Sequence, residues 1–412
     1  MSFKPPLLAL TALVLAPLSA LHPTSGLAAP VAVEPLHSET ARLSDPDAFN
    51  YIIGTQTFSP TYQFTKEPRL VETAEAIRAL GCSVIKFELA RRYARTNGNV
   101  PAPIAGIDSL MKLARDEPSH RKVLDMPFAH FVLWAHTFAE GISKCRHGMD
   151  KPAQEAEYRE LYDLTRHLLT SYDGSGKTFY LGHWEGDGLL RGTVALENDA
   201  KVTPEAVQGM IDWLNIRQRA VDDAKRDTPH RNVEVWHYTE VNHVKLAMQG
   251  RPALVNRVLP NVPVDFVSYS SYDTQKDPAQ LKAALDFIES RLTPKPGLTG
   301  RRVFLGEYGF PAIRHNPQEQ DALSRGVMRA GLEWGCPFIL YWELYNNEVD
   351  PDGKQRGFWL IDDKGVKQPV YETHRRFLAW ARQHVAGITR QTGKPPRDAD
   401  FRLEALRFLQ RP

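Results

Sequence analysis

The chain has 412 residues, of which 42% are hydrophobic, 10% aromatic and 24% charged, so it can bury a large core and is neither disordered nor fibrous. Its 51 Lys and Arg against 49 Asp and Glu leave a formal charge of +2, too balanced for a general polyanion binder, and no nucleic-acid partner is expected. Cys82, Cys145 and Cys336 allow one disulfide at most and lack metal-ligand spacing.

Residues 1–28 read as a secretory leader. Lys4 precedes an apolar run from Leu7 to Ala20, and Gly26-Leu27-Ala28 offers a small-x-small cleavage site. A spanning helix needs about 20 apolar residues, and Pro17, His22 and Pro23 interrupt this one. The expectation is export to the periplasm or the extracellular space, with no membrane segment in the mature form. A connector follows over residues 29–50.

From there the chain alternates β-rich runs with amphipathic stretches. Strands are predicted at Tyr51–Phe58, Cys82–Leu89, Pro127–His136, Thr178–Asp187, Asn232–Val241, Val264–Tyr272, Arg302–Phe310 and Phe338–Tyr345. Helical patterns lie between them at Arg69–Leu80, Ile107–Ala114, Glu155–Leu169, Pro204–Lys225, Ala279–Leu292 and Gln318–Trp334, and Val370–Val385 follows the last strand. Only the stretch between strands five and six is a poor helix. Thr203-Pro204, Asp277-Pro278 and Asn316-Pro317 supply N-caps, while Gly81 and Gly335 sit just past helix ends. Eight such repeats close into an α/β fold of the (β/α)8, or TIM, type over residues 51–388. The 389–412 tail is polar around Pro395-Pro396 and then weakly amphipathic. An open doubly wound sheet is the other reading, although no glycine-rich phosphate loop follows the first strand.

Side chains at the C-terminal ends of barrel strands converge on one mouth. Strand four ends His183-Trp184-Glu185-Gly186-Asp187, strand five Trp236-His237-Tyr238-Thr239-Glu240, strand seven Gly306-Glu307-Tyr308-Gly309, and strand eight Tyr341-Trp342-Glu343. Period-two alternation predicts that Val303, Leu305 and Glu307 point inward together with Phe304 outward, and that His183 lies beside Glu185. Trp134, Tyr269, Tyr272, Trp342 and Trp359 suit the apolar faces of sugar rings or a core equally. Lys86 and Glu88 read as an internal polar pair.

A Glu closing strand four, a Glu in the Gly306-Glu307-Tyr308-Gly309 setting and Trp342 resemble the clan A glycoside hydrolases. The resemblance implies a carbohydrate substrate, no cofactor, and a retaining mechanism with Glu185 as acid/base and Glu307 as nucleophile. Trp342, Trp184, Tyr269, Tyr272 and Tyr308 become substrate-site candidates, along with His183, Asp187, His237, Glu240 and Glu343. Clan A enzymes usually carry Asn immediately before the acid/base, where this chain has Trp184. An Asn-like role then passes to His183, or the acid is Glu240. Two carboxyls are needed because cleavage passes through an oxocarbenium-like state, one group protonating the leaving oxygen and the other attacking the anomeric carbon. Desolvation by Trp184 is expected to raise the acid, and Tyr308 or Arg91 to keep Glu307 ionised. Two other readings stand: a carbohydrate-binding barrel without catalysis, and a metal-dependent hydrolase using His183, His237 and His243. Sugar, linkage and oligomeric state are not legible.

Overall fold

The computed structural model describes residues 44–96, 104–139, 141–193 and 198–410; the expected leader at 1–28 and nearly all of the expected connector at 29–50 lie outside them. Eight strands form a closed barrel in sequence order, every neighbouring pair parallel. They are β1 Ile53–Gln56, β2 Val84–Leu89, β3 His130–Ala135, β4 Thr178–Gly182, β5 Glu234–Val241, β6 Phe266–Ser270, β7 Val303–Tyr308 and β8 Ile339–Tyr341. The expected (β/α)8 barrel is therefore the observed fold.

Numbering helices of seven residues or more, the outer layer comprises α1 Arg69–Leu80, α2 Leu110–Asp116, α3 Pro118–Asp125, α4 Lys151–Ser171, α5 Pro204–Asp227, α6 Pro278–Glu289, α7 Pro317–Trp334, α8 Pro369–Thr392 and α9 Asp398–Leu409. Local chemistry sets their starts. Thr203 and Asp277 accept backbone N–H bonds from α5 and α6, and Asn316 forms a reciprocal capping box with Glu319 at α7. Gly81 and Gly335, at φ +103° and +99°, end α1 and α7 in left-handed C-caps. Between β5 and β6 only short helices form, as the weak periodicity there implied. The tail is more ordered than its polarity indicates. In α9, Phe401 packs on Phe49 and Trp380 at centroid distances of 4.9 and 6.1 Å.

The core has two layers. Inside the barrel, Val84, Val132, Tyr180, Tyr238, Phe304, Phe338 and Leu340 are buried together, with Phe58, Trp134 and Trp342 in the same cluster. Alternate strand residues, among them Ile85, Phe131, Leu133, Leu181, Val303, Leu305 and Ile339, pack outward on the helices. Each large apolar side chain so buried contributes roughly 1.5–3 kcal/mol. Cys82, Cys145 and Cys336 are buried free thiols. Among the described residues, no helix is long and apolar enough to cross a membrane.

Candidate active site

Phe304 faces the barrel interior while Val303 and Leu305 face the helices, the reverse of the predicted parity. The cause is one extra residue in β7. Tyr269 and Ser270 of β6 align with Leu305 and Glu307, skipping Gly306, and β8 skips a residue at the same point. Such a bulge flips the alternation, so Glu307 turns into the mouth although Leu305 does not. Glycine is required there, because a Cβ on Gly306 would lie 1.8 Å from Ser268 Oγ.

Strand four keeps its alternation, but with the parity opposite to that predicted, and the chain departs from it only at Glu185. The strand ends at Gly182, and His183 turns outward, its ring 5.0 Å from Trp213 and its Nε2 2.8 Å from Thr239 Oγ1. His183 and Glu185 therefore do not share a face. Trp184 is 39% exposed on the cleft side. Glu185 leaves the strand in the left-handed region at φ +33°, a strained conformation for a side chain with a Cβ. What holds it is Glu240, whose Oε1 accepts the Glu185 backbone N–H at 2.9 Å.

Glu240 projects from β5 into a buried charge cluster. Its Oε2 accepts from Lys86 Nζ at 3.2 Å and from Ser268 Oγ at 3.1 Å. Lys86, on β2 and fully buried, also donates to Glu307 Oε1 at 3.0 Å and to the Gly306 carbonyl at 3.2 Å. Three acceptors use the three ammonium protons. Lys86 Nζ lies 4.8 Å from the Trp134 ring centroid and 5.7 Å from that of Phe58. The internal pair expected between Lys86 and Glu88 does not form: Glu88 pairs instead with Arg92 at 2.8 Å and His136 at 3.1 Å. The other Glu307 oxygen accepts from Tyr272 OH at 3.2 Å. Lys86 and Tyr272 thus take the part expected of Tyr308 or Arg91. Tyr308 is on the outer side, against Tyr341.

Burial, then the charges of Glu240, Asp187 and Glu348, pushes the Glu185 carboxyl up to about 7. Its Oε2 is buried and meets no hydrogen-bond partner among the described residues, which favours the neutral acid. Burial with the Glu240 and Glu185 charges likewise pushes Glu307 up, to about 8, against the pull of Lys86. Lys86 and Tyr272 donate to both oxygens of Glu307, which favours its ionised form, whereas no donor meets Glu185 Oε2, which favours its protonated form.

Glu185 and Glu307 open into one cleft of about 870 Å³, lined also by Phe58, Trp134, Trp184, Tyr272, Trp342 and Phe358. Phe58 stacks against Trp342 and tilts over Trp134, giving a continuous aromatic floor. Other candidates stand behind this wall. The Asp187 carboxylate accepts N–H groups of Asn242, His243 and Leu254 at 3.0, 3.2 and 2.7 Å, tying the β4 and β5 loops together. His237 is buried under α5, bonded to Gln218 and Asp265. Tyr269 turns outward and donates to Asp273. Glu343, after a cis Trp342–Glu343 peptide, accepts the Phe58 N–H at 2.8 Å and is pushed well above the carboxylate range by burial. Glu240, His183, Trp359 and Tyr308 also lack a place on the lining. Among the described residues no three His, Cys, Asp or Glu side chains converge as metal ligands.

The sequence reading missed Lys86 as the cation of the site, and it missed the cleft edge formed by Lys276, Arg314, His315 and Arg356. The first was recognisable as an inward position of β2; the second follows strand ends but has no alternation of its own.

No protein-family model matches the chain, and no curated protein matches it in sequence. Among solved structures it is similar to a GH5_18 from Bifidobacterium longum subsp. infantis, with 14% identity and a TM-score of 0.54 over 80% of this chain and 78% of that one. A family 39 glycoside hydrolase from Bacteroides cellulosilyticus gives 11% identity and a TM-score of 0.47 over 81% of this chain and 64% of its own. An endo-1,4-beta-xylanase from Penicillium canescens gives 12% and 0.49 over 82% and 97%. At these identities the likeness is one of fold.

Proposed function

We propose that the chain is an exported O-glycosyl hydrolase that cleaves a β-linked oligo- or polysaccharide with retention, Glu307 acting as nucleophile and Glu185 as acid/base. The observation that carries this reading is the asymmetry between two carboxyls at the ends of β4 and β7. Glu185 is half-buried, with its Oε2 buried and without a hydrogen-bond partner among the described residues, whereas Glu307 is held at both oxygens by Lys86 and Tyr272. Protonated Glu185 delivers its proton to the leaving glycosidic oxygen as Glu307 Oε2 attacks the anomeric carbon. The resulting Glu185 carboxylate then takes a proton from the incoming water, whose oxygen displaces Glu307. Glu240 serves as neither acid nor nucleophile in this scheme, since its oxygens are occupied by the Glu185 N–H, Lys86 and Ser268. It positions both reacting groups. Trp134, Trp342 and Phe58 supply apolar surface for sugar rings, and the leader at residues 1–28 supports export.

Glu307→Gln keeps the shape and one donor–acceptor pattern but removes the nucleophile. Release of new reducing ends from a glycan panel is expected to vanish while the thermal transition persists; undiminished release would refute the assignment. Glycan binding by the wild-type protein without any release would favour the binding-barrel reading.

A further inference from the structure

The cleft's charges divide into those already matched and those not. Glu88 is paired with Arg92 and His136, Glu348 and Asp350 with Arg356, and Glu307 with Lys86. Apart from the acid Glu185, what remains is cationic and lies on one edge. Lys276, from the loop after β6, and Arg314, from the loop after β7, both line the cleft, both are exposed, and among the described residues neither makes an ion pair or a side-chain hydrogen bond. The nearest carboxylates in sequence are engaged elsewhere: Asp273 accepts from Lys245 N–H and Tyr269, and Asp277 caps α6. Desolvation, then the charges of Lys276 and Arg314, hold His315 on the same edge below its ordinary range against the opposing pull of Glu319, 3.8 Å away.

The edge is built on a fixed frame. Gln275, adjoining Lys276, donates to the Gly309 carbonyl at 2.8 Å and accepts the Gly309 N–H at 3.0 Å, clamping the β6 loop to the β7 loop. Ala312 and Ile313 bond in turn to Gly357 and Arg356 at 3.1 Å each. Tyr272, four positions before Lys276, touches Glu307, so the cationic edge adjoins the reacting carboxyls.

Building on the glycosidase reading, we propose that this edge binds an anionic sugar unit, with Lys276 and Arg314 as its ligands, and that the substrate is a glycan bearing carboxylate or sulfate groups. Two unmatched cations on a rigid rim give charge-assisted hydrogen bonds to such a group and nothing comparable to a hydroxyl. A near-neutral net charge does not oppose this, because the cations are local to the cleft.

The test uses matched glycans: a uronate-containing polysaccharide with its carboxyl-reduced form, and a sulfated one with its desulfated form. The wild-type enzyme is expected to favour the anionic member of one pair by about tenfold in kcat/KM, through KM, with the advantage shrinking as salt is raised. Which pair responds identifies carboxylate or sulfate. Lys276→Met/Arg314→Met is expected to erase that preference. Equal kcat/KM within both pairs, or a preference unaltered in the double variant, would overturn the proposal while leaving glycoside hydrolysis intact. Calorimetric titration of the same pairs separates the two ideas: if no glycan is cleaved but the anionic member binds more tightly, the cationic site stands and the hydrolase reading falls. If neither anionic glycan binds more tightly than its neutral counterpart, the site is overturned.

Discussion

Glu185 shows how a single residue is made into an acid. Its backbone N–H, at positive φ, donates one hydrogen bond to the Glu240 carboxylate, and its own carboxyl is largely desolvated beside other carboxylates. Its folded value, about 7 against an ordinary 4.5, means that the native state keeps a proton the unfolded chain has already lost. The stability associated with that proton is fully present below about pH 4.5 and is lost as pH rises through about 7. Glu185→Gln, neutral at every pH, is therefore expected to raise the melting temperature more at pH 8 than at pH 5. Catalysis moves the other way: kcat on substrates with poor leaving groups is expected to fall roughly 10²–10⁴-fold, with the alkaline limb of the pH profile abolished. A melting-temperature difference independent of pH would contradict the buried-acid account. Glu240→Gln is the companion test, since removing that like charge is expected to move the alkaline limb down by roughly one pH unit; a limb that stays in place would show that Glu240 does not set it.

At the scale of elements, the bulge in β7 decides what reaches the cleft. Gly306 takes up the extra residue against Ser268, and the parity change turns Glu307 inward. Gly306→Ala is expected to destabilise the fold by about 1–3 kcal/mol and to depress activity, with Ser268→Gly restoring much of both by opening the space; an alanine variant indistinguishable from wild type in denaturant titration and turnover would contradict the packing argument. The strands, their number and the helices behind them are legible in the sequence because alternation, caps and Gly81 and Gly335 repeat the same local signals. The inward faces of β4 and β7 are not, because the bulge at Gly306 breaks the period-two pattern of β7, and β4 ends at Gly182, so its alternation does not extend to Glu185. Candidate residues named for lying near strand ends therefore split: Trp184, Tyr272, Trp342, Glu185 and Glu307 line the cleft, whereas Asp187, His237, Tyr269 and Glu343 brace the loops and strands around it.

Across the whole molecule, eight parallel strands bring Lys86, Glu185, Glu240 and Glu307 from four separate segments to one end of the barrel. The buried Lys86 links two carboxylates that would otherwise be costly in a low-dielectric interior. The same closure gathers the aromatic floor from β1, β3 and β8 and sets the cationic edge on the β6 and β7 loops. The central claim is that Glu307 forms the covalent glycosyl intermediate, and the most direct measurement is peptide mass mapping after incubation with a panel of 2-deoxy-2-fluoro glycosyl fluorides, uronosyl forms included. A glycosyl adduct on the peptide carrying Glu307, absent in Glu307→Gln, is the predicted result; an adduct carried instead by Glu185 or Glu240 would contradict it.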